Sequence, residues 1–157
     1  VHTPDWESGG EPMATQFDRP PPVQAIQQRT RRGALGRYGE GIACRHLESL
    51  GMVVLDRNWR CARGGLDIVA VGAHTLVICE VKTRTSGRFG RPEEAVTGIK
   101  LARLRMLAGM WLDAHRDVAG AARARVELPT RDIRVDVVAV LRPRRGPAVI
   151  HYFPGVG

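Results

Sequence analysis

Three charged residues, Asp67, Glu80 and Lys82, have the spacing of a metal-dependent site for phosphate chemistry. Two carboxylates on one face of a sheet can hold a divalent cation, and an adjacent ammonium can stabilise charge on a phosphoryl group. Lysine is rare in this chain, because only Lys82 and Lys100 among the 24 basic residues are lysines. Arginine cannot replace the compact ammonium, whose pKa shifts readily on burial. Lys82 is therefore a candidate for chemistry.

The two carboxylates become neighbours if segments 66–71 and 75–82 form a β-hairpin. Both segments are rich in β-branched residues, and a short glycine-containing turn separates them. A two-residue turn places Asp67 directly opposite Glu80, whereas a loop with an odd number of residues would shift the pairing by one. Lys82 follows Glu80 by two residues and hence lies on the same face.

Two adjacent carboxylates repel each other, so one must take up a proton or a cation must lie between them. We therefore predict that Asp67 and Glu80 bind Mg²⁺ or Mn²⁺, which prefer oxygen ligands. Lys82 would then orient or deprotonate the attacking water and stabilise the phosphorane. The alternative is a salt-bridge cluster at a strand end, with Lys82 as the counter-ion.

The order of elements along the chain is typical of an α/β protein. The hydrophobic periodicity predicts a helix over 35–50 that Gly51 ends, a strand from 52 that continues irregularly to 60, the hairpin, a helix from near Thr97, and strands over 133–141 and 148–153. Helix, three strands, helix and two strands predict a mixed central sheet covered by helices.

The tail and the body of the chain differ in composition. Residues 1–32 contain a glycine pair, three consecutive prolines and a polar run without clear period, which predicts a disordered tail. One globular domain over 33–157 follows. The whole net charge of +8 belongs to this domain, because four acids balance four bases in the tail. Such a basic domain favours nucleic acid as partner, although a generic basic surface is the alternative.

Composition also bears on location. The three cysteines are never closer than 17 residues, so neither a metal knuckle nor a disulfide framework is indicated. We find no run of about 18 apolar residues and no basic-then-apolar order typical of a signal peptide. We expect a cytoplasmic protein that does not enter a membrane.

Several motifs of this chain resemble the YraN family of small bacterial proteins. The matching segments are Tyr38-Gly39-Glu40-Gly41-Ile42-Ala43, Arg57-Asn58-Trp59-Arg60, Gly65-Leu66-Asp67-Ile68-Val69-Ala70, Leu76-Val77-Ile78-Cys79-Glu80-Val81-Lys82-Thr83-Arg84, Lys100-Leu101-Ala102-Arg103-Leu104 and Arg134-Val135-Asp136-Val137-Val138-Ala139-Val140. The resemblance implies a restriction-endonuclease-like fold, with a mixed central sheet flanked by helices on both faces. This fold is similar to that of archaeal Holliday-junction resolvases. The resemblance therefore implies that the protein is a nuclease, and it offers a homodimer as one candidate assembly.

The resemblance also assigns roles to residues. Asp67, Glu80 and Lys82 match the catalytic positions, and Glu40 on the first helix corresponds to an acid that approaches the metal from outside the hairpin. A helix carboxylate that faces solvent is the alternative for Glu40. Gly65 departs from the family, which usually has glutamate there, and loss of a metal-binding carboxylate would weaken catalysis.

Five basic residues near the site are candidates for contacts with the DNA backbone. Arg84, Arg88 and Arg91 follow the hairpin in a loop with glycines that allow close approach to a phosphate. Lys100 and Arg103 lie three residues apart near the start of the second helix, where backbone amides also favour anions. Because aromatic residues are few, we expect recognition of backbone and shape rather than of base sequence.

We therefore predict a nucleic-acid-binding protein that acts as a Mg²⁺-dependent endonuclease on DNA, with branched DNA as one candidate substrate. One competing hypothesis is a DNA-binding module on a nuclease-like fold without catalysis, which Gly65 favours. Another is an interaction protein in which Asp67, Glu80 and Lys82 form only a salt-bridge cluster.

Overall fold

The computed structural model describes residues 23–72, 74–85, 96–115 and 132–156. These residues form two helices and five strands in the order that the sequence predicts. Their bounds are α1 Val23–Ser49, β1 Val53–Cys61, β2 Gly64–Gly72, β3 Thr75–Arg84, α2 Gly98–Ala114, β4 Ile133–Leu141 and β5 Val149–Phe153.

The strands form one mixed sheet, in the spatial order β1-β2-β3-β4-β5. Neighbouring strands are antiparallel except for β3 and β4, which are parallel. Parallel neighbours need a long crossover, and α2 lies in the connection between these two strands. Strand β3 is therefore central, and its apolar residues 76–79 are buried on both faces.

Each face of the sheet packs against one helix. On one face, α2 contributes Leu104, Leu107 and Trp111 to a core with the inward residues of β2, β3 and β4. On the other face, α1 contributes Ile42, Ala43 and Leu47 to a second core. The prediction of an α/β fold with a mixed central sheet and helices on both faces is confirmed.

Helix α1 is longer than its hydrophobic periodicity indicates. It begins at Val23, inside the segment for which composition predicts a disordered tail, and residues 1–22 of that segment lie outside the described residues. Glutamine, arginine and alanine favour helix even where no apolar face exists. The side chains of 27–34 are all exposed, so packing begins at Leu35, where the helical periodicity also begins. Gly51 ends the helix with a φ of 82°, as predicted.

A buried charge lies in the core beneath α1. Asp136 on β4 is fully buried and accepts four hydrogen bonds. Two come from the Arg134 guanidinium at 2.8 and 2.9 Å, one from the Tyr152 hydroxyl at 2.5 Å and one from the Gly155 amide at 2.9 Å. We call these four residues the Asp136 cluster.

Candidate functional site

The predicted hairpin register is confirmed over the paired part of β2 and β3. Gly72 pairs with Thr75, and the ladder continues in that register to Ile68 and Cys79, where it ends. The predicted direct pair of Asp67 with Glu80 is not part of this ladder, because the side chain of Asp67, rather than its main chain, bonds to β3 beyond Ile68 and Cys79.

The Oδ2 atom of Asp67 accepts a hydrogen bond from the Val81 amide at 2.9 Å. The alternation of β2 changes at this point, because Leu66 packs in the core beneath α2 whereas Ile68 packs in the core beneath α1. Asp67 thus replaces a rung of the ladder and holds the two strand ends together.

Glu80 binds both lysines of the chain through a single oxygen atom. The Nζ atoms of Lys82 and Lys100 each lie 2.6 Å from Oε1 of Glu80. The Glu80 side chain is only 12% exposed, whereas Lys82 and Lys100 are 39% and 33% exposed. The two ammonium groups therefore shield a buried carboxylate and still reach solvent.

Local structure explains how Lys100 arrives there. Thr97 caps α2, and its hydroxyl accepts a hydrogen bond from the Lys100 amide at 3.3 Å. This cap fixes the first turn of the helix above the sheet face that carries Glu80 and Lys82. Strand alternation places those two on one face, and the helix adds the third charge.

The charges of the site shift the pKa values of Glu80, Lys82 and Asp67. Burial would raise the pKa of Glu80, but hydrogen bonds from Lys100 and Lys82 outweigh it and lower that pKa. Burial would lower the pKa of Lys82, but the bond to Glu80 raises it overall. The pKa of Asp67 is raised, because burial and the charge of Glu80 outweigh the bond from the Val81 amide. Of the two carboxylates of the site, Glu80 is therefore stabilised in its ionised form and Asp67 is not.

Asp67 and Glu80 line one cleft of about 440 Å³ together with residues of α2. Its basic wall consists of Lys100 and Arg103, and its apolar floor includes Leu104 and Leu107. The cleft is a concave, open surface with both signs of charge. Its shape and charge suit an anionic ligand larger than a water molecule.

The structure places Glu40 of α1 beside the site. Its Oε2 accepts a hydrogen bond from the side-chain amide of Asn58 at 2.5 Å. Asn58 lies between the register pairs Arg57–Ile68 and Trp59–Leu66, and thus opposite Asp67, with a φ of 54°. Glu40 thus lies outside the β2–β3 hairpin, and its charge also raises the pKa of Asp67.

Arg60 occupies the space next to Gly65. A Cβ on Gly65 would lie 2.1 Å from Nη1 of Arg60 and 2.6 Å from the carbonyl oxygen of Trp59. The same guanidinium lies 3.9 Å from Asp67 and 3.4 Å from the Asn58 side-chain oxygen. At the position where the resembling family usually has an acid, this chain thus has a glycine with an arginine over it. Sequence reasoning did not select Asn58 or Arg60 as site residues, although both lie in one matching motif.

The predicted DNA-contacting residues divide into three groups. Lys100 lies in the site, and Arg103 lies next to it, where its guanidinium donates to the Arg63 carbonyl at 2.9 Å. Arg84 is exposed at the end of β3. Arg88 and Arg91 lie outside the described residues.

A divalent cation would find two available oxygens here. Within the described residues, Oδ1 of Asp67 and Oε2 of Glu80 accept no hydrogen bond. The same part of the chain contains no group of three or more acidic, histidine or cysteine side chains arranged to hold a metal ion. Mg²⁺ commonly binds one or two carboxylates and completes its shell with water and phosphate oxygens. The donor set therefore fits Mg²⁺ or Mn²⁺, and it does not form an all-protein cage.

The fold and the charged cleft define an α/β protein with a mixed sheet and a cluster of acids and lysines at one strand end. The chain belongs to the uncharacterised protein family UPF0102, whose model matches residues 39–140. This is the YraN family that the motifs resemble, so that prediction is confirmed.

Relatives from several bacteria are similar over most of their length. A UPF0102 protein of Nocardioides sp. is 52% identical over 124 residues, which cover 79% of this chain and 91% of the relative. A UPF0102 protein of Beutenbergia cavernae is 50% identical over 126 residues, which cover 80% of this chain and 98% of the relative. UPF0102 protein SCO5602 of Streptomyces coelicolor is 49% identical over 126 residues, which cover 80% of this chain and 89% of the relative.

In the part of the chain that the structure describes, neither helix is long and apolar enough to span a lipid bilayer.

Proposed function

We propose that this protein binds DNA and hydrolyses its phosphodiester bonds with Mg²⁺ as an endonuclease. The observation that carries the proposal is the meeting of both lysines of the chain at Glu80, next to Asp67, in an open cleft. A chain with 22 arginines has placed its only two lysine side chains at one largely buried carboxylate. A purely structural ion pair would not require lysine, because arginine pairs with carboxylates at least as well.

The two carboxylates and the two lysines would have different tasks. Asp67 and Glu80 would hold the cation, which when bound polarises a phosphate oxygen and makes water a better nucleophile. In hydrolysis, the water oxygen bonds to phosphorus and gives up a proton to solvent, while the bond from phosphorus to the leaving oxygen breaks and that oxygen takes up a proton. Charge grows on the phosphoryl oxygens at that moment, and ammonium groups beside them stabilise it.

Lys82 can stabilise this charge without leaving Glu80. An ammonium group has three donors, and Glu80 uses one donor of each lysine. The remaining donors can contact a phosphate, because both side chains are partly exposed. Since the pKa of Lys82 is raised, it is protonated at neutral pH. We therefore assign Lys82 to electrostatic stabilisation rather than to deprotonation of the water.

A second function, DNA binding without catalysis, has its own observation in favour. Within the described residues, Glu80 is already neutralised by two lysines, and Arg60 lies 3.9 Å from Asp67 where a further acid would be expected. Such a site attracts phosphate and has fewer oxygens for metal. Under this alternative the protein binds DNA in EDTA as tightly as in Mg²⁺.

One experiment separates the two functions. Wild type and the variants Asp67→Asn, Glu80→Gln and Lys82→Met are incubated with linear, flapped and four-way-junction DNA in Mg²⁺, Mn²⁺ or EDTA. We expect wild type to cleave at least one substrate and each variant to cleave about 10²- to 10³-fold more slowly, as is typical when one charge-stabilising group is lost. Binding without cleavage in any metal would favour the second function.

Matched controls remove charge elsewhere. Glu48→Gln and Arg45→Gln alter exposed residues of α1 by the same charge as the site variants. Both should cleave at the wild-type rate. Cleavage that persists unchanged in Glu80→Gln and Lys82→Met would exclude this site as the catalytic centre. The homodimer and the preference for branched DNA stay predictions, which light scattering and the same substrate panel test.

A further inference from the structure

The first half of α1 has a basic surface that the site does not use. We define the α1 arm as residues 27–37, which contain Arg29, Arg31, Arg32 and Arg37 and no acid. The side chains of 27–34 are all exposed. An 11-residue helix is about 16 Å long. The arm precedes residues 39–140 that match the family model, so it lies outside the part of the chain by which the family is defined.

Packing shows where the arm lies relative to the cleft. Ala43 and Leu47 pack over the middle of the sheet, while Gly39 packs at Thr83, close to the end of β3. A Cβ on Gly39 would lie 1.8 Å from the Thr83 hydroxyl oxygen, so helix and strand touch at that point. Helix α1 therefore runs opposite to β3, and the residues before Gly39 extend past the strand end.

The arm continues a basic edge of the body. Arg142, which follows β4, has its guanidinium carbon 4.8 Å from the ring centre of Tyr38. The Arg142 amide also donates to the Arg84 carbonyl at 2.8 Å. The arm thus begins where two basic residues mark the ends of the parallel strands, the same end of the sheet at which Glu80 and Lys82 lie.

The composition of the arm selects its ligand. A helix that binds a lipid surface needs an apolar face, and in the α1 arm only Ala34 and Leu35 are apolar, of which Leu35 is half-buried. Arginines on several sides without acids suit the phosphates of a nucleic acid. Arg29 and Arg32, three residues apart, can contact neighbouring phosphates from one face.

We propose that the α1 arm binds the phosphate backbone of duplex DNA and lengthens the contact with DNA beyond the cleft. At 3.4 Å per base pair, its length of about 16 Å covers roughly five base pairs. The inference rests on the proposed DNA binding, but it does not depend on catalysis. Because the arm would contact only the phosphate backbone, it would raise the affinity for DNA of any base sequence.

The test measures binding of a fluorescein-labelled 20-base-pair duplex by anisotropy, in EDTA and over a series of NaCl concentrations. The full chain is compared with Arg29→Gln/Arg31→Gln/Arg32→Gln, and with the control Arg45→Gln/Arg57→Gln/Arg105→Gln. All six arginines are exposed, and both triple variants lose three charges. A third protein has lysine at the three arm positions.

We expect the arm variant to raise Kd about 30-fold in 0.1 M NaCl, and to reduce the slope of log K against log salt by about two to three. The control should change Kd less than about threefold, and the lysine variant should stay close to wild type because it keeps the charge. Circular dichroism and Tm of the arm variant should match wild type, since the altered side chains are exposed.

Other outcomes overturn the inference in distinguishable ways. Equal losses in the arm and control variants would mean that only net charge matters. If the arm variant bound DNA as tightly as wild type, or if the lysine variant lost as much affinity as the arm variant, the arm would not bind DNA through its charge. The proposed function would then be unaffected. Arm-dependent binding to phosphatidylglycerol vesicles without an effect on DNA would assign the arm to membranes. No DNA binding by wild type would refute the proposed function itself.

Discussion

Two clusters of charge lie on opposite faces of the same sheet, and they differ in how completely their carboxylates are satisfied. In the Asp136 cluster, four hydrogen bonds saturate one fully buried carboxylate. At the site, Asp67 and Glu80 each have one oxygen without a hydrogen bond from the described residues. In each cluster two charged residues come from alternating positions of one strand, Arg134 and Asp136 in β4 and Glu80 and Lys82 in β3.

The comparison shows that one sheet carries both a saturated carboxylate and two partly unsatisfied carboxylates. Because the Asp136 carboxylate already accepts four hydrogen bonds, it has no free acceptor for a ligand, and its role is to stabilise the fold. The site remains partly unsatisfied, and Asp67 in particular is an anion with a raised pKa. Perturbed groups in a cleft are typical of functional positions. Four substitutions test whether the two clusters differ in this way.

The largest effect is expected for Asp136→Ala. Removal of the buried carboxylate leaves Arg134, Tyr152 and the Gly155 amide without their acceptor, and loss of one partner of a buried pair costs about 3–5 kcal/mol. Because the Arg134 side chain is 36% exposed and can be hydrated, we expect about 3 kcal/mol. Urea denaturation measures the loss, with exposed Glu48→Ala as a control near zero. A loss below about 1 kcal/mol would contradict a structural role.

Gly65→Ala should destabilise the fold by about 2 kcal/mol. Arg60 can move away from the new methyl group, but the Trp59 carbonyl at 2.6 Å belongs to the backbone. The matched control is Gly109→Ala in α2, where a Cβ meets nothing within 4 Å. That variant should gain about 0.5–1 kcal/mol from helix propensity. Equal Tm shifts in the two variants would mean that Gly65 is not crowded.

Glu80→Gln should lower the free energy of unfolding by about 1 kcal/mol at pH 7, because the variant loses two ion pairs. The loss stays small because the partly exposed lysines regain water. The pKa of Glu80 is lowered in the fold, so its stabilising contribution is present above the ordinary value of 4.5. That contribution disappears as pH falls through the lower folded pKa. Denaturation at several pH values should therefore show the gap between wild type and variant closing in acid. A gap that widens in acid would refute the sign of this shift.

Asp67→Asn should have the smallest effect and the opposite sign. The pKa of Asp67 is raised, so its ionised form destabilises the fold as pH rises from 3.8 through the folded pKa. The amide keeps an acceptor for the Val81 amide and carries no charge. We expect a gain of up to about 1 kcal/mol at pH 7 that vanishes near pH 3, together with loss of the proposed cleavage. A variant less stable than wild type at pH 7 would place Asp67 with Asp136 as a structural residue.

Local patterns predicted much of the fold because they reflect local physics. The two-residue turn set the register that pairs Gly72 with Thr75 and Ile68 with Cys79. Thr97 and Gly51 marked helix ends, since a capping hydroxyl and a left-handed glycine have direct sequence signals. The same local rules put Glu80 and Lys82 on one face.

Other features depend on packing that a single sequence does not display. The contact of Lys100 with Glu80 requires α2 to lie across β3, and no local pattern in the sequence predicts that packing. Asn58 and Arg60 reach the site because β1 pairs with β2 at Asp67, a register that no turn signal fixes. The early start of α1 was missed because Arg-rich helix without an apolar face resembles a tail in composition.

The rarity of lysine gives this protein a built-in reporter. Reductive methylation with ¹³C-formaldehyde modifies amines, and here the only side-chain amines are those of Lys82 and Lys100, both bound to one carboxylate oxygen. A methylated sample would therefore give side-chain resonances only from the two lysines bound to Glu80, without mutation or assignment of the rest of the chain. Titration of metal or oligonucleotide could then be followed at two atoms that lie 2.6 Å from Glu80.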